Sequence, residues 1–212
     1  MFDIGRWVSD TSRDVERQPA SDGERYVVIL RRHYDVPVEE LWDALTSPDR
    51  LKEFFLPISG ELRSGGTYQF EGNAGGEILE CDPPHRVRVT WVYGDNPPQQ
   101  VALSLSQANA NSADLELAHA GPADVAEVAD FALAVGPGWD PALVALGTYL
   151  QGNMPEKSWW MESPEGLELI EKSVRAWQKT LDDRQIANPS VTAKIADASV
   201  AFYTGAEPPA ES

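Results

Sequence analysis

One cysteine and three histidines in 212 residues leave little material for several kinds of chemistry. A lone Cys81 forms no internal disulfide, and nothing in its use points to an oxidising compartment. It sits beside Asp82 with no basic activator, so it reads as an inert strand residue and not as a nucleophile. His33, His85 and His119 share no paired spacing, so no zinc site and no other metal site is expected. There is no Gly-x-Ser-x-Gly elbow. Gly72-Asn-Ala-Gly-Gly76 lacks the Lys-Ser/Thr of a phosphate loop and reads as a hairpin turn. No motif calls for a cofactor. No apolar run approaches the ~18–20 residues needed to span a bilayer. The opening Met1-Phe-Asp-Ile-Gly-Arg6 has neither the basic segment nor the apolar core of a signal peptide. Basic residues are also scarce, 17 against 34 acidic ones, for a net charge of −17. A surface this acidic repels phosphate backbones and anionic lipid heads, so neither nucleic acid nor membrane is an expected partner. The composition suits a cytoplasmic chain with one sizeable domain and an appendage.

What the chain does have is a strong apolar helix signal late in its length. In Gly136-Pro-Gly-Trp139-Asp-Pro-Ala-Leu-Val-Ala-Leu-Gly-Thr-Tyr-Leu150, Asp140 is a good N-cap and Pro141 suits the first helical position. Trp139, Leu143, Leu146 and Leu150 then recur at i, i+4, i+7 and i+11, one continuous stripe. Ala142, Ala145 and Gly147 are small enough for another layer to approach closely. Such a helix must bury its stripe on something large, and most of what precedes it reads as sheet.

Residues 1–23 suggest an arm or short helix followed by a turn. Arg25–Tyr34 has the β-branched and aromatic content of a strand. Val36-Pro37 opens a helix carrying Leu41, Trp42 and Leu45, and Ser47-Pro48 starts a second one that runs to Phe55. Beyond Gly60, short strands alternate with turns: Tyr68 and Phe70 share a face, then Val87, Val89, Trp91 and Tyr93, then Val101, Leu103 and Leu105, then Leu115, Leu117 and His119. This is an antiparallel meander with one buried face. Residues 122–135 are Ala-rich and partly helical in pattern. After Ser163-Pro164, Leu167, Ile170, Val174, Trp177 and Leu181 mark a long amphipathic helix. Asn188-Pro189 breaks it, and a shorter stripe through Val191, Ile195, Ala198 and Phe202 follows.

Several segments in this order carry a family likeness. They are Val36-Pro37-Val-Glu-Glu-Leu-Trp42-Asp-Ala-Leu-Thr46-Ser-Pro48, Leu62-Arg-Ser-Gly65-Gly66 and Gly76-Glu-Ile-Leu-Glu80-Cys-Asp-Pro83-Pro84-His-Arg86. Thr90-Trp91, Leu115-Glu-Leu117-Ala-His119 and Gly138-Trp139 complete the set. Together they resemble the heat-shock-protein-90 ATPase activator homologue branch of the START/Bet v 1-like (SRPBCC) superfamily, from about Tyr26 to Leu150. The resemblance implies an α+β helix-grip fold, with a curved antiparallel sheet of about seven strands around a long helix. It divides the chain into an arm (1–24), a helix-grip ligand-binding domain (25–152), a C-terminal helical extension (153–204) and a disordered tail (205–212). It also implies a cavity between sheet and helix for apolar ligands, without fixing one reaction. Many relatives carry a Trp where this chain has Phe54-Phe55, which keeps an aromatic lid but loses an indole donor. The chaperone-engaging domain of the activator that names the branch has no counterpart expected in residues 1–25, so a chaperone partner is not expected.

The resemblance implies the cavity and an aromatic lid at Phe54-Phe55, and strand parity and the helix stripe name the other residues expected to face it. Phe54 and Phe55 come from the second short helix, and Tyr68, Phe70, Trp91, Leu103 and Leu117 from the strands. Trp139, Leu143 and Leu146 come from the long helix. The aromatics among them are either plain core or ligand wall, and Tyr68 and Trp91 bring polar handles. His119 could orient a ligand or act as a base; its plainer reading is a buried histidine bonded to backbone. The expected function is binding of a small, largely apolar molecule, lipid-like or polyketide-like. Cyclase-type use of the same cavity and a co-chaperone-like role are the alternatives. If the Leu167–Leu181 stripe exceeds what the sheet can cover, the C-terminal helices would form a homodimer interface.

Overall fold

In the computed structural model, which describes residues 4–20, 23–121, 128–153 and 163–205, the chain opens with a short helix, α1 (Ile4–Ser9). Two long paired strands follow, β1 (Thr11–Ala20) and β2 (Gly23–Tyr34). Helices α2 (Val38–Thr46) and α3 (Pro48–Phe54) lead to β3 (Ile58–Gly60), β4 (Thr67–Phe70) and β5 (Gly75–Asp82). After β6 (Arg86–Trp91), β7 (Gln99–Asn109) and β8 (Ser112–Ala120) come three helices, α4 (Val128–Leu150), α5 (Pro164–Asp183) and α6 (Pro189–Thr204). The expected disordered tail lies, from residue 206 on, outside the described residues, as does the first part (122–127) of the Ala-rich segment 122–135, whose remainder is helical in α4.

The strands form one eight-stranded sheet in the order β1-β2-β8-β7-β6-β5-β4-β3, every neighbour antiparallel. Register lines up Leu30, Leu117, Leu103, Val87 and Cys81 as one row across β2, β8, β7, β6 and β5. The next row holds Val28, His119, Val101, Val89 and Ile78. Side chains alternate along a strand, so these rows share the face that α4 covers. The helix-grip architecture is thus present, with one strand more than the seven expected.

The additional strand is β1, where an arm or turn was expected. Its inward positions are Thr11, Arg13 and Val15, opposite Arg32, Leu30 and Val28. Two of those three are polar, so no apolar alternation marks the strand.

The long helix also departs from expectation. Asp140 and Pro141 do not start it; α4 begins at Val128 and runs straight through Pro137 and Pro141. A proline inside a helix removes one N–H and frees the carbonyl four residues earlier. For Pro137 that carbonyl is Leu133 O, and the Ser199 hydroxyl of α6 donates to it at 2.7 Å. Tyr203 of α6 also donates to the next carbonyl, Ala134 O, which neither proline frees.

The Asp140 carboxylate, instead of capping, is buried and takes a forked pair of hydrogen bonds from Arg13, Nη2 to Oδ1 at 2.6 Å and Nε to Oδ2 at 3.1 Å. Ser173 Oγ and Trp177 Nε1 of α5 also donate to Oδ2. The remaining Arg13 nitrogen donates to the carbonyls of Val8 and Thr11. One ion pair therefore joins α1, β1, α4 and α5. Close backbone approach completes the junction: a Cβ on Gly136 would meet the Trp177 indole at 2.4 Å, and one on Gly147 would meet Trp7 at 2.6 Å.

The cap before α5 is as expected, with Ser163 Oγ accepting from Gly166 N, and Asn188, expected only as a break, also caps α6, its Oδ1 accepting from Ser190 N. Ile170, Val174, Trp177 and Leu181 of the α5 stripe are buried, and Leu167 is half-buried. Among the described residues, the large apolar side chains left exposed on the C-terminal helices are Val191 and Phe202.

Removing one partner from a buried ion pair leaves the other charge uncompensated, at a cost of about 3–5 kcal/mol. Asp140→Ala should lower unfolding stability by about that much, and Arg13→Ala by a similar amount. In urea titrations the double variant should lose clearly less than the sum of the two. Strict additivity would mean the pair is not coupled as described.

Candidate functional site

Between the inward sheet face and α4 lies a cavity of about 170 Å³. Its floor is set by register: Leu117 and Leu115 from β8, Leu103 and Val101 from β7, Val87 and Val89 from β6. Leu143, Leu146 and Trp139 form the roof, because they share one face of α4, with Asp140, Val144 and Gly147 on the adjoining face. Phe54 and Phe55, at the end of α3, close one end together with Leu45 and Leu51. Tyr68, Phe70 and Trp91 supply the side wall. Strand parity also marks Val87, Val89, Val101 and Leu115, which sequence reasoning did not single out as lining residues. Leu45, Leu51 and Ile58 reach the cavity by tertiary packing that no periodicity signals.

The aromatic residues interlock. Phe55 meets Phe70 edge-on at a centroid distance of 5.1 Å and stacks against Trp139 at 6.3 Å. Trp91 lies 5.1 Å from Trp139 and 6.0 Å from Phe70. Offset and edge-to-face contacts of this kind add about 0.5–1.5 kcal/mol each beyond area burial, so the wall is stiff.

The hydroxyl groups around the cavity already have partners. The Tyr68 hydroxyl donates to Thr90 O at 2.7 Å, and burial pushes its phenol up, so it stays neutral. Thr46 Oγ1 donates to Trp42 O. Cys81 borders the space from β5 yet is an exposed residue.

His119 is the exception among the expected cavity residues. It is buried on the inward face, beside Leu117, but it does not line this cavity. It stands behind Trp139, with ring centroids 6.0 Å apart, and faces a separate cleft. Its partners are side chains, not the backbone expected from sequence. Trp139 Nε1 donates to His119 Nδ1 at 3.1 Å, and His119 Nε2 lies 2.6 Å from Gln99 Oε1. An indole can only donate, so Nδ1 must accept and the proton of the neutral ring sits on Nε2, given to Gln99. Both ring nitrogens are thus engaged, and His119 positions Trp139. Burial pulls its pKa down to about 4.

The other histidines lie elsewhere. His33 bonds Asp114 on the exposed face of β2, and His85 sits in the turn between β5 and β6. Among the described residues no group of three or more His, Cys, Asp or Glu could hold a metal ion, and no helix is long and apolar enough to cross a membrane.

Comparison with known proteins agrees with this geometry. The family model described as "Activator of Hsp90 ATPase homolog 1-like protein" matches residues 35–151. Among solved structures, CalU16 from Micromonospora echinospora in its crystal form is 36% identical, with TM-score 0.69, over 81% of this chain and 98% of that one. Its solution structure gives 34% identity and TM-score 0.70 over 82% and 96%. DynU16, a protein in the dynemicin biosynthetic locus, is 25% identical with TM-score 0.51 over 61% of this chain and 48% of its own. No curated protein matches.

The shift of His119 has a stability consequence whose sign is fixed. Its folded pKa of about 4 lies below the ordinary 6.5, so the unfolded chain binds the proton more readily. The contribution is complete above pH 6.5 and is lost as pH falls towards 4, reaching about 3 kcal/mol. His119→Gln removes this titration. Between pH 6.5 and 4, wild-type stability in urea should fall more steeply than that of His119→Gln, whereas parallel curves would mean a hydrated or charge-paired ring.

Proposed function

The chain belongs to the Activator of Hsp90 ATPase homolog 1-like family, and on that premise we propose that it binds a small, largely apolar molecule between α4 and the sheet. The observation that carries this reading is the hollow itself. Protein interiors pack with few voids larger than a water molecule. At roughly 24 cal/mol per Å³, an unfilled space of about 170 Å³ forgoes about 4 kcal/mol of packing. A ligand that fills it regains much of that. Size sets the class: an engineered cavity of about 150 Å³ takes benzene, so this space as built takes one aromatic ring or a short acyl chain. A larger lipid-like or polyketide-like molecule needs Phe54 and Phe55 to move outward. The place of DynU16 in a biosynthetic locus supports a small-molecule ligand over a macromolecular one.

Binding is favoured over turnover by the hydrogen bonds already made. A cyclase-like use of the cavity needs a polar group free to act on its contents. The Tyr68 hydroxyl is given to Thr90 O, and His119 stands behind Trp139 with both nitrogens engaged.

A thermal-shift screen of small arenes, short fatty acids, sterols and aromatic polyketides tests the reading. A ligand at about 100 times its Kd contributes about 2.7 kcal/mol, or roughly 5–10 °C in Tm for a chain of this size. Leu146→Trp, which fills the space from the roof, should leave the fold intact and abolish the shift given by single-ring arenes and short fatty acids, the molecules this space takes as built. If no compound raises Tm and a crystal structure shows a solid core, the reading fails.

A further inference from the structure

We propose that the cleft on the far side of Trp139 is a second small-molecule site, taking a planar aromatic body that carries a carbonyl or similar acceptor oxygen. The cleft encloses about 530 Å³ and shares only Phe55, Trp91 and Trp139 with the inner cavity, as a common wall. Its volume lies in the range of about 300–1,000 Å³ usual for ligand sites. The first half of α4 forms one side through Phe131 and Val135, and α6 forms another through Phe202 and Tyr203. The family match ends at residue 151, so the α6 side is built by sequence outside it.

The aromatic content is placed unlike an ordinary surface. Tyr93 is 54% exposed and Phe202 80% exposed, and both line this cleft. Phe202 is held there because its neighbour Tyr203 is fixed: the Tyr203 hydroxyl donates to Ala134 O and packs on Gly138. Exposed faces of this kind, in one cleft with Trp91 and Trp139, suit stacking with a flat ring system.

One polar group is pre-oriented between them. Trp139 donates to His119, and His119 donates to Gln99 Oε1, which fixes the side-chain amide of Gln99. Its Nε2 has no hydrogen-bond partner among the described residues, so the amide has two donors free in a cleft residue. A donor pair without a matching acceptor selects an acceptor on the ligand. The site stands whether or not the inner cavity binds anything.

Calorimetric titration with 2-acetonaphthone, and with naphthalene as its acceptor-free counterpart, tests the proposal on the full chain. Gln99→Glu still accepts from His119 but loses the amide donors. It should weaken 2-acetonaphthone by about tenfold, one hydrogen bond's worth, and leave naphthalene within about twofold. Phe202→Ala, at a mostly exposed position outside the core, should weaken both by about threefold or more. Leu146→Trp should change neither, which separates this site from the inner cavity. The proposal is overturned by absence of saturable 2-acetonaphthone binding. Binding that Leu146→Trp abolishes while Gln99→Glu and Phe202→Ala leave it intact overturns it equally.

Discussion

The buried pair between Arg13 and Asp140 is the constraint on which the rest of the molecule depends. It fixes the middle of α4 at its flank, through Arg13 on the inward face of β1 and through α1 and α5, while Trp139, Leu143 and Leu146 on the adjoining helix face line the hollow. A helix free to settle would sink onto the sheet and close the hollow, gaining about 4 kcal/mol of packing. Breaking a buried ion pair costs about 3–5 kcal/mol. The two are of the same size, so a clamp of this kind is strong enough to keep the space open. The void is then a consequence of how the helix is held, and its apolar lining follows from the register of the sheet.

Trp139 occupies the boundary between two compartments of different character. On one side the lining is almost wholly apolar. On the other, aromatic faces surround Gln99 and the edge of His119. His119 lies on a strand, in register with Val28 and Val101, and so presents a rigid acceptor to the indole. The histidine that strand parity set on the cavity face therefore serves the partition, and its chemistry is that of a neutral, doubly bonded ring.

Much of this was legible from the chain alone. Tyr68 with Phe70, and Leu115 with Leu117 and His119, lie on the inward face as alternation indicated, and Ser163-Pro164 caps α5 as its local sequence suggests. Two readings failed for a single reason. Asp140-Pro141 carries the same local signal as Ser163-Pro164, yet α4 passes through it, and Arg13 lies in a strand that has no apolar alternation. Each makes sense only beside the other, and they stand 127 residues apart. A charge that replaces an apolar side chain on an inward face is invisible to periodicity until its counter-charge is placed. The carbonyl freed by Pro137 shows the same limit, because its donor, Ser199, lies in a helix that follows two elements later.

The most direct test of a hollow held open under α4 is a crystal of the protein, stripped of bound small molecules, under xenon gas. A dry apolar cavity of this size takes up xenon. The result expected is a well-occupied atom among Leu103, Leu117, Leu143 and Leu146, with the Arg13–Asp140 pair intact. An empty map there, with side chains from α3 or α4 filling the space, would contradict it.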